Sequence, residues 1–531
     1  MPTLDWIGKK AVVNHHREVP FHLLHDVPEL SIGQADSGNL IVEGDNLLAL
    51  KALLPYYAGQ VKCIYIDPPY NTGNENWIYN DNVNSPEIRK WLGKVVGGEM
   101  EDLSRHDKWL CMMYPRLSLL REMLKDDGAI FISIDDSEFD RLKMIMNEIY
   151  GVSNFVCTLI WKRRTSPDSR NLNGVSSDHE YILCYRKSSE LRFIGAKKDL
   201  AKYKNPDNDS LGPWMSDNLT GLANKRERPN LHYDVVHPTT GKHYPAHPSR
   251  GWIYGPEKMN QLIAEGKILW PKNPNGRPRL KRYLTDMKSS TTGFSTILDA
   301  PGNVSATKSL AEILGPKIFA FPKPVDLIKV LLEQVSDSDS LILDSFAGSG
   351  TTGHAVMKLN EEDGGNRRFI LVEMDMNISR NVTAERLRHI CDGYYKPDGK
   401  SVKGLGSGFR FCQLGTPCFD EFGRINPSVT FADLARHIFF TETGNPLPSQ
   451  TTTNGPLIGK HQDKAVYLLY NGILKDKRPD NGNVLTQAVL DCLPHHNGLK
   501  VIYGAACRFS ASRLKRGNIV FKQIPYEIRI G

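Results

Sequence analysis

The stretch LILDSFAGSGTTGHAV, residues 341–356, constrains the fold of this chain more than any other. An apolar run of strand length stops at Asp344, a glycine turn follows, and a helical pattern begins at once. Gly348, Gly350 and Gly353 stand in G-x-G-x-x-G spacing. Glycine lets a backbone turn tightly and approach a ligand, so strand, turn and helix in succession describe one βα unit of a parallel sheet with a binding crest. The next apolar run, FILVE, ends in Glu373, 373 − 350 = 23 residues beyond the second glycine. An acid at the end of the neighbouring strand can accept from ribose hydroxyls, so the pattern predicts an adenosine-containing ligand. The turn carries no Gly-Lys-Ser/Thr, which argues against a Walker-type triphosphate loop; NAD stays open on the turn alone.

The same alternation occurs upstream. DNLLALKALLPYY (45–57) has helical spacing, VKCIYI (61–66) reads as a buried strand, WLCMMYPRLSLLREMLKDDG (109–128) is helical and AIFISIDD (129–136) is a strand. A second block runs from KPVDLIKVLLEQV (323–335) through the glycine turn to RRFILVEMD (367–375), which completes a βαβ rhythm and predicts an α/β fold with a mostly parallel sheet. Between the blocks, from about residue 161 to 315, the composition shifts to Asn, Pro, Gly, Ser, Arg and Lys, as expected of an inserted domain with long loops. The expected division is 1–160, 161–315, 316–395 and 396–531, the last part broken by a linker-like stretch at 444–459 and carrying the strand patterns KAVYLLYNG, GLKVIYGAA and NIVFKQIPYEI. These apolar segments are expected to need a partner surface.

At 531 residues the chain exceeds one core, and 40% hydrophobic with 24% charged residues is a globular mixture. No apolar stretch approaches the roughly 20 residues of a membrane span, and MPTLDWIGKK has no apolar signal-peptide core, so a cytoplasmic protein is expected. Nine cysteines without a C-x-x-C pair indicate reduced, buried thiols and no zinc site. The net charge is +7; basic clusters at WKRRTSPDSR (161–170), NKRERPNLHY (224–233) and NGRPRLKRY (275–283) make nucleic acid a candidate partner.

The strand VKCIYI ends in Asp67-Pro68-Pro69-Tyr70. Asp67 therefore stands at the carboxyl edge of a parallel sheet, where ligands of open α/β folds bind. The prolines lack N–H groups and fix φ, so the segment is stiff and the Pro68 carbonyl is left to accept. Two rigid acceptors suit a donor with two hydrogens, such as the exocyclic amine of a base, and Tyr70 offers a flat face for its ring.

With both motifs in view, the chain resembles amino-group DNA methyltransferases: Asp67-Pro68-Pro69-Tyr70 matches their Asp/Asn-Pro-Pro-Tyr/Phe motif, and Phe346-Ala347-Gly348-Ser349-Gly350 their Phe-x-Gly-x-Gly motif. The catalytic motif precedes the cofactor motif with the inserted region between them, as in the β-class, over roughly residues 40 to 395. LDWIGKKAVVNHHREVPFHLL at one end and SRLKRGNIVFKQIPYEIRI at the other resemble modification subunits of type III restriction systems. The resemblance implies a Rossmann-like S-adenosylmethionine-dependent sheet, a target-recognition domain at 161–315 and a C-terminal α+β domain at 396–531 for dimerisation or partner docking. It implies that Asp67 and the Pro68 carbonyl hold an adenine amine, that Tyr70 stacks on the base, that Phe346, Ala347, Gly348 and Gly350 line the cofactor, and that Glu373 takes its ribose hydroxyls. Asp45 matches an acid near the cofactor adenine and equally a helix N-cap; Lys323-Pro324 matches the segment leading into the cofactor helix, a local element without an expected contact.

Such residues would transfer a methyl group to the N6 amine of a flipped adenine in double-stranded DNA, without a metal. Cytosine-N4 methylation by the same architecture is the rival activity, which Asp67 in place of Ser argues against; an inactive recognition subunit for a partner nuclease is the rival of another class. The resemblance further implies a homodimer that works with a separate helicase-nuclease chain.

Overall fold

A computed structural model describes residues 3–33, 38–72, 86–167, 174–247, 249–273, 275–420, 425–445, 447, 455–470 and 482–524. Gly73, the end of the 161–170 cluster and half of the 444–459 linker lie outside these. There are two compact units, residues 1–193 with 295–531, and Ile194–Phe294.

The first unit is built on one ten-stranded sheet. In chain order its strands are β1 (His22–Asp26), β2 (Leu40–Glu43), β3 (Val61–Ile66), β4 (Leu124–Ile134), β5 (Phe155–Lys162), β6 (His179–Arg186), β7 (Ile297–Leu298), β8 (Leu341–Asp344), β9 (Arg368–Glu373) and β10 (Arg410–Pro417). They lie in the order β1-β10-β2-β9-β8-β3-β4-β6-β5-β7. From β10 to β4 every neighbouring pair is parallel. β1 on β10, and β6 on both β4 and β5, are antiparallel. Strands β2, β3 and β8 are buried along their whole length, which is why they read as continuous apolar runs rather than alternating ones.

Helices cover the sheet: α1 (Asn46–Tyr57), α2 (Arg105–Met123), α3 (Phe139–Tyr150), α4 (Val325–Val335) and α5 (Thr351–Asp363). Asp45 caps α1 by accepting from the Leu47 and Leu48 amides, and Ser104 with Asp107 forms a capping box on α2. Leu50, Leu53, Leu117, Leu119 and Leu120 are fully buried between these helices and the sheet, each contributing about 1.5–3 kcal/mol of burial. From β8 the chain proceeds to β9 on one side, and from β3 to β4 on the other. The crevice at the carboxyl ends of β8 and β3 is thus a topological switch point, the place where open α/β sheets bind ligands.

Residues expected within the inserted region extend the sheet instead. β6 and β7 are strands of the first unit, so the second compact unit is narrower than the 161–315 span of shifted composition. That unit has its own core around Leu219, Trp252, Met259 and Leu280, and a three-stranded sheet pairing Arg279–Tyr283 with Trp214–Asp217 and Ile268–Leu269. At the C-terminal end, β10 enters the main sheet, and Phe419, Leu434, Ile438, Val466 and Val501 join the same core as β3. These residues are therefore covered within the first unit itself, by β10 and the core it shares with β3, rather than by a partner surface. Among the described residues no helix is long and apolar enough to cross a membrane.

Candidate active site

Asp67 follows the last residue of β3 and stands half-buried at the switch point. Its Oδ2 accepts from the Lys323 ammonium at 2.6 Å, while Oδ1 is buried with no hydrogen-bond partner. The Lys323 Nζ also donates to the Tyr70 hydroxyl at 3.0 Å and lies 3.4 Å from Glu180 Oε2. Tyr70 in turn donates to Glu180 Oε2 at 3.1 Å, and Arg163 pairs with Glu180 Oε1 at 3.2 Å. Burial pushes the Asp67 carboxyl above its ordinary range, against the pull of Lys323. Burial opposes the charge on Lys323, but Asp67 and Glu180 outweigh it and hold the ammonium above its usual value. The four charges balance as two acids and two bases.

The rest of the loop is pinned from α2 and from the segment after β4. Trp109 Nε1 donates to the Pro69 carbonyl at 2.6 Å. Asn71 adopts a left-handed backbone, φ 58°, and its side-chain amide donates to Glu138 and to the Arg105 carbonyl. Glu138 also receives His106 Nδ1 at 2.5 Å. Tyr70 itself is only 7% exposed, with the Lys323 ammonium 5.0 Å from its ring centre.

The glycine turn occupies the end of β8. Asp344 accepts from the Phe346 amide at 3.0 Å and from Thr352 Oγ1 at 2.5 Å, and burial pushes its carboxyl up to about 7. Gly348 and Gly350 have φ of 51° and 74°, the left-handed region that side chains resist. A Cβ on Gly350 would also lie 3.2 Å from Thr383 Cγ2. The Gly348 amide donates to Glu373 Oε2 at 2.9 Å, and Asp375 donates to Oε1 at 2.9 Å. Thr383, in a π-helical stretch Ser379–Ala384, donates to the Gly348 carbonyl at 2.6 Å. Arg386, fully buried, donates to Ser349 O at 3.1 Å and to Thr351 Oγ1 at 2.9 Å.

One cleft is lined by both motifs, Asp67 on one side and Phe346, Ala347 and Gly348 on the other, with Phe319 and Phe321 at its wall. The structure thus brings Asp67, Tyr70, the glycine turn and Glu373 to the carboxyl ends of three adjacent strands, β3, β8 and β9. Asp45 takes the helix-cap role, and its Oδ2 pairs with Arg116 at 3.1 Å. Lys323, expected to make no contact, is instead the partner of Asp67, because the fixed Pro322-Lys323-Pro324 backbone points its side chain across the switch point.

Residues 61–385 match the DNA methylase family over the span that holds both motifs. This chain belongs to that family. It is 36% identical over 400 residues to the Mod subunit of the type III restriction-modification enzyme StyLTI of Salmonella typhimurium, covering 72% of this chain and 60% of that protein. The EcoP15I Mod subunit of Escherichia coli is 30% identical, over 70% of this chain and 64% of the relative. The type II methyltransferase M.KpnI of Klebsiella pneumoniae is 31% identical, over 72% of this chain and 93% of that protein. The chain spans somewhat under two thirds of the length of these two type III relatives.

Proposed function

We propose that this DNA methylase transfers a methyl group from S-adenosylmethionine to the N6 amine of an adenine flipped out of double-stranded DNA, as the modification subunit of a restriction-modification system. One observation carries the reading: Asp67, whose Oδ1 has no hydrogen-bond partner, lines the same cleft as the left-handed glycine turn. The cleft suits the cofactor. Gly348 lines the cleft beside Phe346 and Ala347, where the methionine portion is assigned, and Glu373, which holds the Gly348 amide, is assigned to the ribose hydroxyls. When bound, S-adenosylmethionine supplies the electrophilic methyl group.

The residues of this chain prepare the acceptor. Asp67 Oδ1 and the Pro68 carbonyl each take one N–H of the amine, which holds the nitrogen lone pair towards the cleft. The amine gains the methyl and surrenders one proton, through Asp67 or to water. Tyr70 is assigned to stack on the base, which offsets part of the few kcal/mol spent in flipping.

The second compact unit is assigned to DNA recognition. Lys225, Arg226, Arg228 and Arg277 are exposed there and available to phosphates and base edges. Lys281 and Arg282 are engaged within the unit, Lys281 with Asp207 at 2.6 Å and Arg282 with Asp217 at 2.6 Å, and are assigned a structural role. A homodimer, a helicase-nuclease partner and a cytoplasmic setting complete the proposal; they rest on relatives named as subunits of restriction-modification enzymes. Methylation-sensitive long-read sequencing of DNA from cells expressing this chain tests the reading. N6-methyladenine at one recurring sequence is expected; N4-methylcytosine, or no new mark, overturns it.

A further inference from the structure

We propose that Lys323 is a positioning residue that clamps Asp67 by Oδ2, so that Oδ1 alone is offered to the acceptor amine, with Glu180 as the counter-charge that holds the clamp. The proposal rests on the methyltransferase reading of the site.

Lys323 is 7% exposed, and its ammonium has three hydrogens for three acceptors: Asp67 Oδ2 at 2.6 Å, the Tyr70 hydroxyl at 3.0 Å and Glu180 Oε2 at 3.4 Å. Its backbone is fixed by Pro322 and Pro324, and Pro324 is the N-cap of α4. Phe321, two residues earlier, sits at φ 50°, a conformation that surrounding structure must impose on a non-glycine residue. The Lys323 carbonyl accepts from Thr351 Oγ1 at 3.2 Å, in the first turn of α5 behind the glycine turn. A single residue thus grips the acceptor loop with its side chain and the cofactor turn with its backbone.

The clamp has a chemical consequence. Only an ionised Asp67 can accept from both the ammonium and the amine; a protonated one carries a hydrogen where the amine needs a lone pair. Asp67 is faced by Lys323, Glu180 and Tyr70, by Tyr65 of β3 and by Asp344 of β8. Of these Lys323 alone is a cation. Remove it, and two carboxylates, Asp67 and Glu180, share the site without it, so Asp67 takes up a proton at higher pH. Remove the Glu180 charge instead, and Lys323 serves Asp67 alone, so Asp67 stays ionised to lower pH.

The two changes therefore move the acid limb of the pH–rate profile in opposite directions, which loss of packing would not do. Single-turnover methylation of genomic DNA by the full chain, measured from acid to neutral pH, is compared for wild type, Lys323→Met, Lys323→Arg and Glu180→Gln. For Lys323→Met the limiting rate falls about a hundred-fold and the acid limb rises by about one pH unit or more, with cofactor affinity by calorimetry within about three-fold. Lys323→Arg recovers most of the loss, and Glu180→Gln moves the limb down. Isotope-edited infrared spectroscopy, with Asp67→Asn to assign the band, reads the Asp67 carboxyl directly at neutral pH: ionised in wild type and Lys323→Arg, protonated in Lys323→Met. Unshifted limbs with near wild-type rates, shifts of the same sign in Lys323→Met and Glu180→Gln, or an ionised Asp67 in Lys323→Met each overturn the clamp. Absence of any methyl transfer by wild type overturns the reading of function instead, and the infrared result still decides the clamp. Where Lys323→Met does not fold, Glu180→Gln decides: a limb moved down supports the clamp, and a limb that stays in place or moves up overturns it.

Discussion

Two neighbouring parallel strands of this sheet end in aspartates, and the molecule treats them oppositely. Asp344, closing β8, is held by groups two and eight residues away, the Phe346 amide and the Thr352 hydroxyl, and burial without a contacting cation pushes it to about 7. Asp67, closing β3, is held by Lys323, 256 residues away, through one oxygen only. The first arrangement shapes a backbone turn; the second ties one carboxylate oxygen to a cation and leaves the other without a partner, as the proposed reaction requires. Position on the sheet does not separate the two acids, but the source of their partners does.

The largest effect that can break this contrast is at Asp67. Asp67→Ala should lower methyl transfer by about a thousand-fold or more, with cofactor affinity within a few-fold, measured by tritium transfer and calorimetry on one preparation. Comparable losses in both would place Asp67 with the turn rather than with the acceptor.

At Asp344 the sign follows from linkage. An acid whose folded pKa, about 7, lies above its ordinary value of 3.8 favours the fold while it is protonated in both states. That contribution is lost as pH rises from about 4 to about 7, by roughly 2–4 kcal/mol, and stays lost above. Asp344→Asn, which mimics the protonated side chain, should flatten this part of the stability profile in chemical denaturation, and an unchanged slope would count against the assignment.

Gly350→Arg sharpens the other half of the comparison. A side chain there forces a left-handed backbone at about 1–2 kcal/mol and meets Thr383, so cofactor affinity should fall at least about tenfold, read by calorimetry. Asp45→Ala should give the smallest effect. It removes a helix cap and the Arg116 pair, costing about 1 kcal/mol of stability with cofactor affinity little changed. A large loss of affinity would return Asp45 to the cofactor.

What could be read from the sequence follows the same division. β3, β8 and β9, the glycine turn, Asp67 and Glu373 were legible because their signals are local: apolar runs, fixed spacings, prolines that stiffen four consecutive residues. Glu180 was not, because HEYILCYR is embedded in loop-like composition and its place beside β4 depends on pairing across the sheet. Nor was the reach of Lys323, since nothing in Pro-Lys-Pro states what lies opposite. Trp109, which fixes the Pro69 carbonyl, sits in a helix that reads as ordinary core. Thr383 and Arg386 belong to a helix whose π-helical turn has no sequence signature.

We propose that the unpartnered oxygen of Asp67 and the glycine turn form one methyl-transfer site for an adenine amine. The most direct test is mass spectrometry of DNA digested after incubation with the full chain and S-adenosylmethionine bearing a deuterated methyl group. The account predicts labelled N6-methyladenine with wild type and none with Asp67→Ala. Label found only on N4 of cytosine, or label on adenine that survives Asp67→Ala, would contradict it.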